Sequence, residues 1–166
     1  GWQPIEAESV DRLSYGDCKA LVNYMRSLLD IAGIRSFYTL ADAGEDVPPL
    51  KTDFPSTQFN HVILCVPDGS DTIWLECTNQ TIPFGYIGKF TDDRYVMVTG
   101  SEGGTVVKTR KYTINSNRQI REATVELTAN GNANATFSTD YNGIFYDDVN
   151  KVLLMDDTDR KKFIQS

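Results

Sequence analysis

The chain has 166 residues, 40% of them hydrophobic and 23% charged, which suits an ordinary globular protein with room for one core and an appendage. A formal net charge of −7, with no basic cluster, argues against nucleic acid as a partner. No apolar run approaches the length of a membrane span, so no transmembrane segment is expected.

The first predicted element is a helix. Cys18, Leu21, Val22, Met25, Leu28, Leu29 and Ala32 keep the three-to-four spacing of a buried stripe, and Gly33 supplies the stop. Ser14-Tyr15-Gly16-Asp17 has the shape of a capping box, and Asp17 could also cap by itself. Either cap puts Cys18 in the first turn, among unpaired N–H groups at the positive end of the helix dipole. That setting favours a thiolate, and the Asp17 charge opposes it slightly. A strand over residues 36–41 follows. The polar, Pro-containing loop over 43–57 reads equally well as a wall of a substrate cleft and as a plain connector.

Phe59 to Val66 is a β-branched, apolar run, and Asp71 to Glu76 is its partner across Pro67-Asp68-Gly69-Ser70. Asp-Gly is a strong signal for a two-residue turn, because a type I′ turn needs positive φ at both centres. With Asp68-Gly69 as the loop, Val66 faces Asp71, Leu64 faces Ile73, Val62 faces Leu75 and His61 faces Glu76. Directly opposed residues have Cβ atoms about 4.5–5.5 Å apart, close enough for a carboxylate to hold an imidazole in one tautomer. In this register Cys65 and Cys77 lie on different faces, so no disulfide between them is expected. Both read as core residues.

Pro83 to Gly88 sets aromatics between glycines, as suits either a turn over a cleft mouth or a buried turn. Arg94–Thr99 and Thr105–Lys108 read as two strands around a Gly103-Gly104 turn, completing an antiparallel sheet. Composition shifts near Tyr112. Arg118–Thr128 and Ala133–Tyr141 alternate apolar and polar around Asn130-Gly131, a second hairpin signal, and after Gly143 the pattern becomes helical. The expected organisation is therefore a core over residues 1–110 and a β-hairpin plus helical segment over 111–166, docked on the core or opening a second domain. Asp147, Asp148, Asp156, Asp157 and Asp159 lack the glycine and ligand spacing of a calcium loop and read as solvated acids. One histidine is too few for a zinc site, so neither metal nor cofactor is expected.

Cys18 alone has the profile of a small buried hydrophobe. Followed in order by His61, the chain's single histidine, and by Glu76, it becomes a candidate nucleophile with base and orienter. The segments that carry these residues resemble a known family. Tyr15-Gly16-Asp17-Cys18-Lys19-Ala20-Leu21, the helix exit Leu28 to Arg35, Phe59-Asn60-His61 and Trp74-Leu75-Glu76-Cys77-Thr78 are similar to the transglutaminase-like core. The match is closest to a bacterial envelope subfamily in which that core lies between two β-rich domains, and it covers roughly residues 2–105.

The resemblance implies an α+β, papain/transglutaminase-like fold: an N-terminal Cys helix packed on an antiparallel sheet, followed by a small β-rich segment with a terminal helix. It implies Cys18 as nucleophile, His61 as base and Glu76 as third member. The family's third member is usually Asp, so Glu76 is one methylene longer. Lys19 stands where the animal cross-linking enzymes have Trp, and their calcium dependence is not carried over. Trp2, Gln3, Tyr15 and Trp74 are candidates for the oxyanion donor or cleft wall. The expected function is cysteine-dependent acyl transfer or amide hydrolysis on protein or peptide substrates; the alternative is an inactive scaffold that binds protein or glycan in the same cleft. A periplasmic or envelope location follows from the resemblance alone. Gly1 reads as a tag remnant, and the start at Trp2-Gln3-Pro4 as lying in mid-domain with a β-rich region upstream.

Overall fold

A computed structural model describes residues 3–54 and 56–165. The chain forms two compact units, Gly1–Lys111 and Tyr112–Ser166.

The first unit is α+β. Helices α1 (Ala7–Leu13) and α2 (Cys18–Ile31) precede strands β1 (Phe37–Ala41), β2 (His61–Asp68) and β3 (Asp71–Leu75). A short helix, α3 (Gly88–Thr91), then leads into β4 (Tyr95–Gly100) and β5 (Gly103–Lys108). The five strands form one antiparallel sheet in the order β3-β2-β1-β4-β5, with α2 packed on β1 and β2.

Helix α2 starts and stops by local chemistry. The Asp17 side chain accepts a hydrogen bond from the Ala20 N–H at 3.0 Å, so Asp17 is the cap and Cys18 the first helical residue. Such a cap stabilises a helix by about 1 kcal/mol. Gly16 must be a glycine, because a Cβ there would sit 2.8 Å from the fully buried Ala20 Cβ. At the other end Gly33 adopts φ +73°, the Gly33 N–H donates to the Asp30 carbonyl and the Ile34 N–H to the Leu29 carbonyl. This is the two-bond glycine stop that satisfies the last carbonyls. Val22 packs with Val62, Leu64 and Val66 of β2, and Cys18, Met25, Leu29, Tyr38, Leu40, Ile73, Leu75 and Cys77 surround that cluster. Leu28, expected in the buried stripe, is instead 43% exposed. Helix α1 carries too short a pattern to be foreseen and buries only Val10.

The β2–β3 hairpin departs from the expected register. Asp68 pairs with Asp71, Val66 with Ile73 and Leu64 with Leu75, so the loop is Gly69-Ser70 rather than Asp68-Gly69. One positive-φ residue, Gly69 at +59°, serves the turn. The slip is two residues, an even number, so every side chain keeps its predicted face while its partner changes. In β4–β5, Gly100 pairs with Gly103, and the turn is Ser101-Glu102 rather than Gly103-Gly104.

Arg94 ties the unit together through backbone carbonyls. Its guanidinium donates to Asp92 O, Asp42 O and Lys89 O at 3.1, 2.6 and 3.0 Å. The Gly44 N–H completes the tie by donating to Phe90 O at 2.9 Å. Together these bonds hold α3 against the loop that follows β1.

The second unit consists of the hairpin β6 (Gln119–Leu127) and β7 (Ala133–Tyr141), two 3₁₀ turns (Gly143–Asp148 and Asn150–Leu154) and helix α4 (Asp157–Gln165). Leu127 pairs with Ala133, so Asn130-Gly131 lies within a five-residue loop, Thr128–Asn132, rather than forming a two-residue turn. Phe137, Tyr141, Tyr146, Val152 and Phe163 line a cavity of about 810 Å³ inside this unit.

Candidate active site

A pocket of about 490 Å³ opens beside the N-terminus of α2 and the start of β2. Cys18 and Lys19 come from the helix, and Tyr38, Leu40 and Val62 from the sheet face it covers. Phe59, Asn60 and His61 close the pocket where the chain enters β2. Cys18 and His61 thus share one pocket although 43 positions separate them in sequence. Among the described residues no hydrogen bond joins the Cys18 thiol to the imidazole.

His61 and Glu76 do form a bonded pair. Nε2 of His61 lies 2.7 Å from Oε2 of Glu76, with the two side chains 9% and 6% exposed. The pairing survives the changed register because Glu76 is diagonal to His61 rather than opposite it. Diagonal neighbours are about 7–8 Å apart at the backbone, within reach of a long side chain. The extra methylene of glutamate supplies that reach. The second carboxylate oxygen accepts from both the backbone N–H and the hydroxyl of Thr78, the former at 2.9 Å. Burial raises the Glu76 carboxyl, but the His61 hydrogen bond and charge and the two Thr78 donors outweigh it, leaving the group below its ordinary 4.5. With Nε2 engaged, Nδ1 is the ring nitrogen left for other chemistry.

The imidazole is held on other sides too. His61 alternates with Val62 and so turns to the face away from α2, where Phe90 meets its ring edge-on at a centroid distance of 5.1 Å. Asn60 fixes the start of the strand: its side chain accepts from the Ala43 N–H at 2.7 Å and donates to the Ala43 carbonyl at 2.9 Å. Asn60 therefore binds backbone and not His61. Asn79 likewise caps Thr81. Lys19 places its ammonium 2.6 Å from Asp17, which lowers the Asp17 carboxyl and raises the lysine.

The other sequence candidates lie elsewhere. Trp74 is 4% exposed and pairs with Cys65 in the sheet, so it is a core residue and not a cleft wall. Tyr15 is 73% exposed and Gln3 is exposed, and neither lines the pocket. Trp2 lies outside the described residues. Residues Gly44 to Leu50 of the long loop line a separate cavity with Arg94 and Lys108. Of the glycine-flanked segment, Tyr86 and Ile87 are buried while Phe84 is 80% exposed, and none of the three lines the Cys18 pocket. All three cysteines are free thiols. Burial, followed by the neighbouring Glu76 charge, pushes the Cys77 thiol up to about 12, and burial raises Cys65.

Sequence reasoning missed Thr78, Tyr38, Phe59 and Phe90. Only Thr78 carried a local signal, since a hydroxyl two residues after a carboxylate can fold back onto it. The others come together through sheet pairing and helix packing. Among the described residues, no group of three His, Cys, Asp or Glu side chains could hold a metal ion, and no helix is long and apolar enough to cross a membrane. Comparisons with protein-family models, with curated proteins and with solved structures find no match to this chain.

Proposed function

We propose that the protein is a cysteine-dependent acyl transferase or amide hydrolase of transglutaminase-like, papain-like fold, acting on protein or peptide substrates. The observation that carries this reading is the buried His61–Glu76 pair, with His61 among the residues that line the same pocket as Cys18, the first residue of α2. Cys18 attacks an amide carbonyl and forms a thioester; the His61 imidazolium, held by Glu76, gives its proton to the leaving amine. The acyl group then passes to water or to another amine. An envelope location, expected from the family resemblance, would place such substrates among extracytoplasmic peptides.

Iodoacetamide labelling with peptide mapping tests the reading. Cys18 should alkylate faster than Cys65 and Cys77 in the folded protein, and His61→Ala should slow Cys18 specifically. Slow, uniform labelling of all three thiols, indifferent to His61→Ala, would overturn it. A second reading, a binding scaffold without turnover, draws on the missing hydrogen bond between Cys18 and His61. That result would leave it standing.

A further inference from the structure

Attack of a thiolate on a carbonyl gathers negative charge on the carbonyl oxygen, and a site that catalyses it needs donors aimed at that oxygen. First-turn N–H groups of α2 are one source beside Cys18. We propose that the Tyr38 hydroxyl is the side-chain donor to this oxyanion, a role that rests on Cys18 being the nucleophile. Tyr38 lines the same pocket as Cys18 and His61, and both Tyr38 and Cys18 pack on the Val22–Val62–Leu64–Val66 cluster.

The other polar side chains of the pocket are already engaged. His61 is bonded to Glu76, Lys19 to Asp17, and Asn60 to both backbone groups of Ala43. The Tyr38 hydroxyl makes no hydrogen bond among the described residues, whereas the Tyr24 hydroxyl donates to Asp11 at 2.6 Å. Tyr38 is half-buried and its hydroxyl is not among the buried polar atoms without a partner, so it is open to a substrate oxygen that enters the pocket. Burial first, then the negative charges of Cys18 and Asp17, push its phenol up to about 12. The group therefore keeps its proton through any ordinary working pH and remains a donor.

The step balances. The Cys18 sulfur lone pair forms the S–C bond, and the carbonyl π pair moves onto oxygen, which accepts the Tyr38 O–H. The pair then returns to restore C=O as the C–N bond breaks, and the leaving amine takes the His61 proton. Tyr38 gives and loses no proton. Hydrogen bonding to the oxyanion alone is its contribution, so substitution should slow acylation without changing how the thiol reacts with an alkylating agent that forms no oxyanion.

The test compares Tyr38→Phe with the unsubstituted protein on two probes. With p-nitrophenyl acetate, the burst of nitrophenolate from Cys18 acylation should slow by about 10²-fold, the usual cost of one oxyanion donor. With iodoacetamide, the alkylation rate of Cys18 and its pH midpoint should stay unchanged, and the melting temperature should match because the hydroxyl has no partner to lose. An undiminished burst would overturn the Tyr38 role alone. A displaced alkylation midpoint would show the hydroxyl acting on the thiol, and a lowered melting temperature would show it serving the fold; either overturns the inference. No Cys18 acylation in the unsubstituted protein would overturn the proposed function, and this inference with it.

Discussion

Two hairpins of this chain carry the same kind of turn dipeptide, Asp68-Gly69 and Asn130-Gly131, and meet opposite surroundings. β2 and β3 sit in a five-stranded sheet under α2, and every residue of β2 from His61 to Val66 is buried. β6 and β7 form a sheet of two strands, and β6 is exposed along its whole length. The difference decides where chemistry can reside. In water, a carboxylate beside an imidazole gains little, because solvent screens both. At 6% and 9% exposure Glu76 and His61 interact in a drier medium, and Thr78 satisfies the remaining carboxylate oxygen. Arg121, Glu122 and Glu126 on β6 are exposed charges of the ordinary solvated kind. A two-stranded hairpin is marginal by itself, and residues of β6–β7 share the lining of one cavity with the 3₁₀ turns and α4 of their own unit.

The largest effect expected from this contrast is on catalysis. Cys18→Ala should abolish acyl transfer and set the floor for the other variants. Glu76→Gln, which keeps a hydrogen bond and removes the charge favouring the imidazolium, should lower turnover by roughly 10²–10⁴-fold. Glu76→Asp sharpens the geometric claim. Glu76 reaches His61 along a diagonal, so a carboxylate one methylene shorter should keep its local bond to Thr78, lose His61 and fall within a few-fold of Glu76→Ala. An Asp variant that keeps most of the activity would show that reach is not what selects glutamate here.

Packing should separate the hairpins next. Val22→Ala opens a cavity under β2 at a fully buried position and should cost about 2 kcal/mol by urea unfolding of the first unit. Val125→Ala on β6, at a side chain 57% exposed, should stay within about 0.5 kcal/mol. Equal costs would mean that the second hairpin is as well buried as the first.

The smallest effect is on acid stability. The Glu76 carboxyl is held below its ordinary 4.5 in the folded protein, so its stabilisation is complete above that value and is lost as pH falls through the lowered one. The urea midpoint of the first unit should therefore decline on acidification below about 4.5, and Glu76→Gln should make that decline shallower. An unchanged pH profile in the Gln variant would locate the acid sensitivity elsewhere. Asp17 and Asp93, also lowered by lysine partners, are candidates for such a background.

Local chemistry in the sequence was enough to place α2, because Asp17 caps within three residues, Gly33 stops the helix with positive φ, and Val22 recurs at helical spacing with its neighbours. β-branched runs and turn residues likewise placed the strands, and the even spacing of side chains assigned their faces. What depended on long-range packing was not legible. The hairpin slipped by two residues because the choice between Asp68-Gly69 and Gly69-Ser70 costs little locally, while burial of Val62, Leu64 and Val66 is indifferent to an even shift. Leu28 was exposed because the sheet covers only part of the stripe, and Trp74 was drawn into the core opposite Cys65. The meeting of Cys18, Tyr38 and His61 in one pocket joins a helix end and the starts of two strands. No periodicity encodes that meeting. It arises when apolar burial brings α2 onto β1 and β2, and only the folded chain determines which side chains then share the space.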